Sequence, residues 1–480
     1  MGVFMILGLL IALPLLAALI VSQVRSPQGL KACLLVSTTL TLGGALFTRS
    51  HSLSMPWITS LGIQFKLGVD GLSWIMLLLT CGAFFFIALS SISSTPKNTS
   101  AFYALMLVTQ AALIGVFTAQ NMFLFYVFWE LAILPAFFML MGWGSEGKGA
   151  ATIKFLLYSL AGSFCLLVPL LYLYTLTPIP HSFDLAAFSA LSLSPMTQLW
   201  VFGSFFIAFA IKTPLVPFHT WQPGTYFKSS LLTTMVLAGV LSKMGIYGML
   251  RLLPLAPAGF SQYGKGLIIL CIVGILYAST IALAQYQFKR LIAFSSIAHM
   301  GLIVAGILTQ TSQGVQGAML QMVSHAISAL GLLFIAQLIF TRTGTLETFQ
   351  LGGIRKKSPF LAGGFLVILM GSIGLPFTNG FVGECLLLSG LFDVHPLFAL
   401  FAGLSLIISA WYMLKLYQTV MLGKYMHPTE ELPAFNLQIS EKIALWLLIT
   451  AVVGLGLFPQ FILDAAAPVA NAILHTGAIL

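Results

Sequence analysis

The chain has 480 residues, of which 59% are hydrophobic and only 7% charged, and its mean hydropathy is +1.03. No water-soluble fold can bury that much apolar surface, so lipid is the solvent for most of the chain. The net charge of +10 is spread one or two residues per loop, without the dense basic stripe that a nucleic-acid partner requires.

Apolar runs of about 20 residues recur from end to end, which predicts an all-α polytopic membrane protein. The runs are continuous rather than alternating, which excludes a barrel. The opening run, MGVFMILGLLIALPLLAALIVSQVR, has the hydropathy of a signal peptide but no basic n-region and no clear cleavage site. It reads as the first transmembrane helix. Fourteen spans follow from hydropathy, near 3–22, 29–47, 71–92, 101–118, 120–143, 151–176, 197–221, 229–253, 265–285, 289–309, 312–341, 358–394, 397–422 and 439–463.

Two spans are interrupted. Lys212-Thr-Pro-Leu-Val-Pro217 breaks the seventh, and GLPFTNG, Gly374 to Gly380, breaks the twelfth. The breaks lie five spans apart. Residues 99–254 and 264–423 are therefore expected to form two five-helix repeats, the second inverted because five is odd. Residues 1–98 would supply three leading spans, and 424–480 the last span and a tail. Broken helices at matching places in two halves point to a transport path.

Basic residues give the orientation. Of 21 Lys and Arg, only Arg49, Lys66, Arg251 and Lys265 fall in loops after even-numbered spans; Lys212, Lys243 and Lys415 lie within spans, and fourteen follow odd-numbered spans. The positive-inside rule then places odd loops in the cytoplasm and both termini outside.

Ionisable side chains inside the hydrocarbon layer are costly, and by default functional. Only two acids lie deep in spans, Glu130 in FYVFWELAILP and Glu384 in NGFVGECLLLSG. Glu130 has no basic residue one turn away, so Lys212 on the seventh span is its expected partner. A lysine that loses its carboxylate would release its proton more easily, which makes the pair a switch; a static packing pair is the alternative. Lys243 in LAGVLSKMGIYG lies too deep to snorkel readily. His299 in SSIAHMGLI and His325 in QMVSHAISALG suit a proton relay, because neutral imidazole passes a proton between its two nitrogens. Glu384 follows the second break, as a far-side proton site, a cap for the half-helix, or both. His219 and Lys415 are weaker members; Lys415 can snorkel to the interface.

The cysteines Cys33, Cys81, Cys165, Cys271 and Cys385 lie in or beside apolar runs without CxxC or Cys/His spacing. They read as small core residues. No phosphate loop, dinucleotide fingerprint or metal motif is visible, so neither a cofactor nor a redox centre is expected on this chain.

The strings FLFYVFWELAILPAFFML, FAIKTPLVPFHTW, LAGVLSKMGIYGMLRLLP, ALAQYQFKRLIAFSSIAHMG, QMVSHAIS and GLPFTNGFVGE together resemble the antiporter-like membrane subunits of respiratory complex I, NADH:quinone oxidoreductase. The resemblance runs from about Gly68 to Gly423. It implies fourteen helices, two inverted repeats and a polar axis. It makes Glu130 the acid beside a pumping Lys212, Lys243 the central lysine, His299 and His325 relay members, and Glu384 the far acid. Relatives, including Mrp-type cation/proton antiporter subunits, tend to carry lysine where this chain has Glu384. The resemblance also implies neighbouring membrane subunits as partners, electron transfer on other chains, and a bacterial inner membrane. After FHTW the family pattern is LPDAH and then VEAP; here QPGTYFKSS stands instead, without the usual acid and histidine. An Mrp-type antiporter subunit, or a scaffold with a vestigial axis, are the other readings.

Overall fold

The computed structural model describes residues 5–425 and 433–478; the two ends of the chain lie outside them, so the termini are not placed. Among the described residues, thirteen helices are long and apolar enough to cross a membrane. In the position of the expected twelfth span stand two shorter helices, Pro359–Ser372 and Asn379–Val394. Apart from one short hairpin and isolated bridges, the described residues are helical or loop, and the architecture is a membrane bundle.

Loop contacts pair up by parity, as up-and-down threading demands. On one face Ser145 N donates to Lys228 O (2.7 Å), Phe288 N to Leu346 O (3.0 Å), and Arg342 pairs with Glu441 (2.6 Å). These residues flank odd-numbered connections. On the other face Gln120 N donates to Lys66 O (2.9 Å), Met122 N to Phe183 O (2.7 Å), and Lys66 pairs with Asp184 (2.6 Å).

Both breaks follow one backbone scheme. In the seventh span the helix Pro195–Lys212 ends with Thr213 N donating to Phe209 O (2.8 Å) and Leu215 N to Ala210 O (2.9 Å). In the twelfth, Ile373 N donates to Leu369 O (3.1 Å) and Leu375 N to Met370 O (3.1 Å). Each helix thus closes with an i−4 bond followed by an i−5 bond two residues on, the wrap of a helix terminus. The carbonyl of Ile211, left off the ladder, accepts from Trp221 Nε1 at 2.9 Å. The seventh span runs further than expected, through short helices Phe218–Trp221 and Gln222–Lys228.

Two elements were not expected. An antiparallel hairpin, Ser52–Ile58 against Ile63–Gly68, fills the connection between the second and third spans, with an irregular register between Pro56 and Ile58. The last span ends at Leu457, before 463, because Pro459 cannot continue the ladder, and a separate helix Gln460–Ala478 replaces the expected tail. That helix packs on the third and eleventh spans, with Phe461 5.1 Å from Trp74.

The eighth span, Leu231–Leu255, sits in the centre and is almost wholly buried. Near its end Arg251 forms a two-pronged pair with Asp70, both prongs at 2.5 Å, and donates to Ser73 Oγ (2.8 Å) and Tyr247 (3.1 Å). Fork-to-fork pairing fixes angle as well as distance. Tyr247 donates onward to Phe117 O at 2.9 Å, so the third, fourth and eighth spans are tied at this face.

Candidate functional site

Lys243 owes its place to an irregularity. Leu237–Leu241 form one π-helical turn, in which Ser242 N donates to Leu237 O at 3.1 Å. A π-bulge inserts one residue and turns carbonyls off the ladder. Lys243, with no solvent exposure, donates to the freed Ala238 O (2.5 Å) and reaches Ser242 Oγ (3.3 Å). Gly245 lets the span close on the seventh: a Cβ there would stand 2.2 Å from Thr213 Oγ1.

From Lys243 a row of ionisable side chains crosses three further spans. Lys243 Nζ lies 3.0 Å from His325 Nδ1. A protonated lysine can only donate, so that nitrogen then accepts and the imidazole is neutral. The His325 and His299 rings have centroids 5.5 Å apart. His299 Nδ1 lies 3.6 Å from Glu384 Oε1, beyond hydrogen-bond length but close enough for charge to act across it. All four residues are at most 6% exposed. Lys243 has no carboxylate in contact, so the one acid of the row stands at its far end.

Glu384 is held by residues not anticipated from sequence. Gln321 Nε2 donates to its Oε1 at 3.2 Å. Asn379 Nδ2 donates to Ser324 O (2.8 Å), and Ser324 Oγ to Asn379 O (2.6 Å), which clasps the eleventh span to the second half of the twelfth. Gln321 and Ser324 stand four and one residues before His325; polar residues on an otherwise apolar span were the available signal. Gly374 completes the cradle with φ +67°: a Cβ there would stand 1.9 Å from Glu384 Oε2.

Lys212 and Glu130 do not meet as expected. No Lys212–Glu130 contact lies within 4.0 Å, and Lys212 Nζ and Glu130 Oε1 are buried without hydrogen-bond partners. Lys212 packs on aromatic rings instead. Lys212 Nζ sits 5.6 Å from the Trp129 ring centre and 5.8 Å from that of Phe155, on aromatic faces that favour a cation. Glu130, the next residue after Trp129, is near enough for its charge to act on the lysine. The two form a separated pair rather than a salt bridge.

The weaker members stand apart from the row. His219 is buried against Tyr277, ring centroids 5.4 Å apart, with Nδ1 unpartnered. Lys415 is exposed, its Nζ 6.0 Å from the Tyr286 ring centre. Among the described residues no three His, Cys, Asp or Glu gather as a metal-binding set.

Membrane-length helices, two of them broken beside a buried charged row, define the antiporter-like class of membrane subunits. Residues 119–409 match the family described as NADH:quinone oxidoreductase/Mrp antiporter, transmembrane, and the chain belongs to it. It is 38% identical over 411 residues to NADH-quinone oxidoreductase subunit M of Rickettsia prowazekii, covering 85% of this chain and 83% of the relative. A chain of respiratory complex I from Thermus thermophilus superposes with a TM-score of 0.90 at 30% identity, over 98% of this chain and 99% of that one. A chain of the Mrp complex from a Dietzia species shares the fold, with a TM-score of 0.87 at 22% identity and full coverage of both.

Proposed function

We propose that this chain is the counterpart of subunit M in a bacterial NADH:quinone oxidoreductase and moves protons across the membrane while other subunits carry the electrons. The observation that carries the reading is the buried row Lys243–His325–His299–Glu384, one ionisable group on each of four neighbouring spans. Each step is short enough for a proton to pass directly or through one bridging water.

Glu130 and Lys212 would form the switch. They share no contact bond, so a small shift of the fifth span changes the field at Lys212 without breaking one. When the carboxylate is near, the ammonium is favoured; when it recedes, the proton is released toward Lys243. The row then hands it to Glu384. No group on this chain supplies redox chemistry in this scheme.

The matched hydrogen bonds at the two breaks support two inverted repeats, 99–254 and 264–423, flanked by 1–98 and 424–480. The excess of basic residues on odd connections supports a cytoplasmic odd face, with both termini outside a bacterial inner membrane. Membrane neighbours of the same complex would flank the chain.

The test uses inverted membrane vesicles carrying Glu130→Gln, with assembly checked. NADH oxidation and NADH-driven acidification should fall together by about tenfold or more. Normal rates of both would show that the pair is structural. Untouched NADH-linked rates with loss of cation/proton exchange would place the chain in an Mrp-type antiporter instead, a reading that the Dietzia fold likeness allows but the 38% identity to a respiratory subunit disfavours.

A further inference from the structure

The thirteenth span, Pro396–Leu422, is the least expected place for buried polar residues, since most of it is not covered by the rest of the chain. Yet Ser405, Ser409 and Tyr412 lie on one helical stripe, at spacings of four and three, and all three are buried. With Ser279 of the ninth span and His299 they line a small cavity of about 10 Å³, room for a single water.

Serines in membrane helices usually satisfy themselves on a carbonyl one turn back. Ser405 does so, donating to Ala402 O at 2.6 Å. Ser279 Oγ and Ser409 Oγ do not: both are buried and have no partner. Tyr412 donates to Ser295 Oγ at 2.9 Å, and Ser295 stands one turn before His299 on the tenth span. Four hydroxyl side chains and an imidazole thus line one small space, and two of the hydroxyls are without a partner among the described residues.

Tyr412 also lines a second, larger cavity of about 90 Å³, together with Gln285, Tyr286, Thr348, Lys415 and Thr419. Gln285, Tyr286 and Thr348 belong to the connections after the ninth and eleventh spans, on the odd face; Lys415 and Thr419 approach it along the thirteenth. Tyr412 lines both spaces.

We propose that protons from the odd face reach His299 through these two cavities, with Tyr412, Ser409 and Ser279 as the hydroxyl relay and Lys415 and Thr348 at the mouth. This is an intake separate from the Glu130–Lys212 end, and it rests on the proton-carrying reading above. Each hydroxyl gives one proton and takes one, so it ends unchanged; the net event is one proton lost from water at the mouth and one gained at His299. The row would then fill from its middle.

Two measurements test it in inverted vesicles with the complex assembled. The double variant Tyr412→Phe/Ser409→Ala removes two hydroxyls and little volume; Ser279→Ala, on another helix, is the independent check should the first not assemble. NADH-driven acidification and coupled NADH oxidation should fall about fivefold in either. Second, Thr419→Cys, in a background with the exposed Cys385 replaced by serine, should pump normally until a bulky membrane-impermeant maleimide is added at the odd face, and lose pumping afterwards. A merely structural role for the stripe would not make pumping sensitive to labelling from one side. Parental rates in the hydroxyl variants, or labelling without effect, overturn the intake while Glu130→Gln still abolishes pumping. If Glu130→Gln is silent as well, the proton-carrying reading itself fails, and the intake with it.

Discussion

The ammonium of Lys243 and the imidazole of His325 stand 3.0 Å apart, Nζ to Nδ1, buried and without a carboxylate in contact. Two basic groups so placed cannot both hold a positive charge cheaply, because the interior screens them poorly. One proton is therefore shared between them, and a second arriving from either side must push the first on.

That sharing predicts strong non-additivity. Lys243→Ala and His325→Ala should each reduce NADH-driven proton transport by about 10–100-fold. The double variant should be no worse than the poorer single one, because the pair acts as a unit. Vesicle acidification, with assembly monitored on native gels, measures all three; a multiplicative loss would show that the two residues act independently.

At the far end, Glu384→Gln preserves volume and can still accept from Gln321, but cannot take up a proton. Transport should fall about tenfold or more with normal assembly. Gly374→Ala should fail differently. A side chain at φ +67° costs about 1–2 kcal/mol in backbone strain alone, and the added Cβ strikes the Glu384 carboxylate. Less assembled complex and a lower melting temperature are expected, rather than a well-folded, inactive one.

The Asp70–Arg251 pair gives a stability prediction with a pH signature. Burial pushes the Asp70 carboxyl up, but the Arg251 guanidinium and the Ser73 N–H pull it down further, and it sits below its ordinary value. A depressed folded-state value means stability present above the unfolded value of about 3.9 and lost as pH falls through the folded one. The carboxylate is partly exposed, so Asp70→Asn should cost about 1–2 kcal/mol, between surface and buried pairs. In detergent the melting difference from parent should be constant between pH 6 and 8, which lie well above that range, and shrink only in strong acid. A difference that varies across neutral pH would assign it to another group.

Much of this was legible in the sequence. Hydropathy marks the spans because the hydrocarbon layer sets their length. Lys212-Thr-Pro and GLPFTNG mark the breaks because proline and glycine interrupt a helical ladder wherever they stand. Lys243, His299, His325 and Glu384 draw notice by charge alone. Lys243 as the centre and Glu384 as the far acid were expected from the resemblance; that His325 stands next to Lys243 and His299 next to Glu384 was not legible, since the row joins residues up to 141 positions apart through the packing of four spans. The π-turn before Lys243 has no compositional mark: LAGVL is ordinary helix-forming sequence. The separation of Glu130 from Lys212 depends on how the fifth and seventh spans pack, and Lys212 meets the Trp129 and Phe155 rings instead. The hairpin was passed over because its two strands are too short to stand out in a window sized for membrane helices.

The eighth span is anchored at both ends. Arg251 and Tyr247 fasten it at one face, and at the other Lys289 Nζ of the tenth span donates to Ser229 O, just before its first turn, at 2.7 Å. Between the anchors the only departure from a regular α-ladder is the π-turn. A torsion applied at either face therefore collects there, as it does in a shaft with one soft coupling, and Lys243 is mounted on that coupling. Winding the turn back into register would swing the residues on one side of it by about 100° against the other. The lysine would then leave His325.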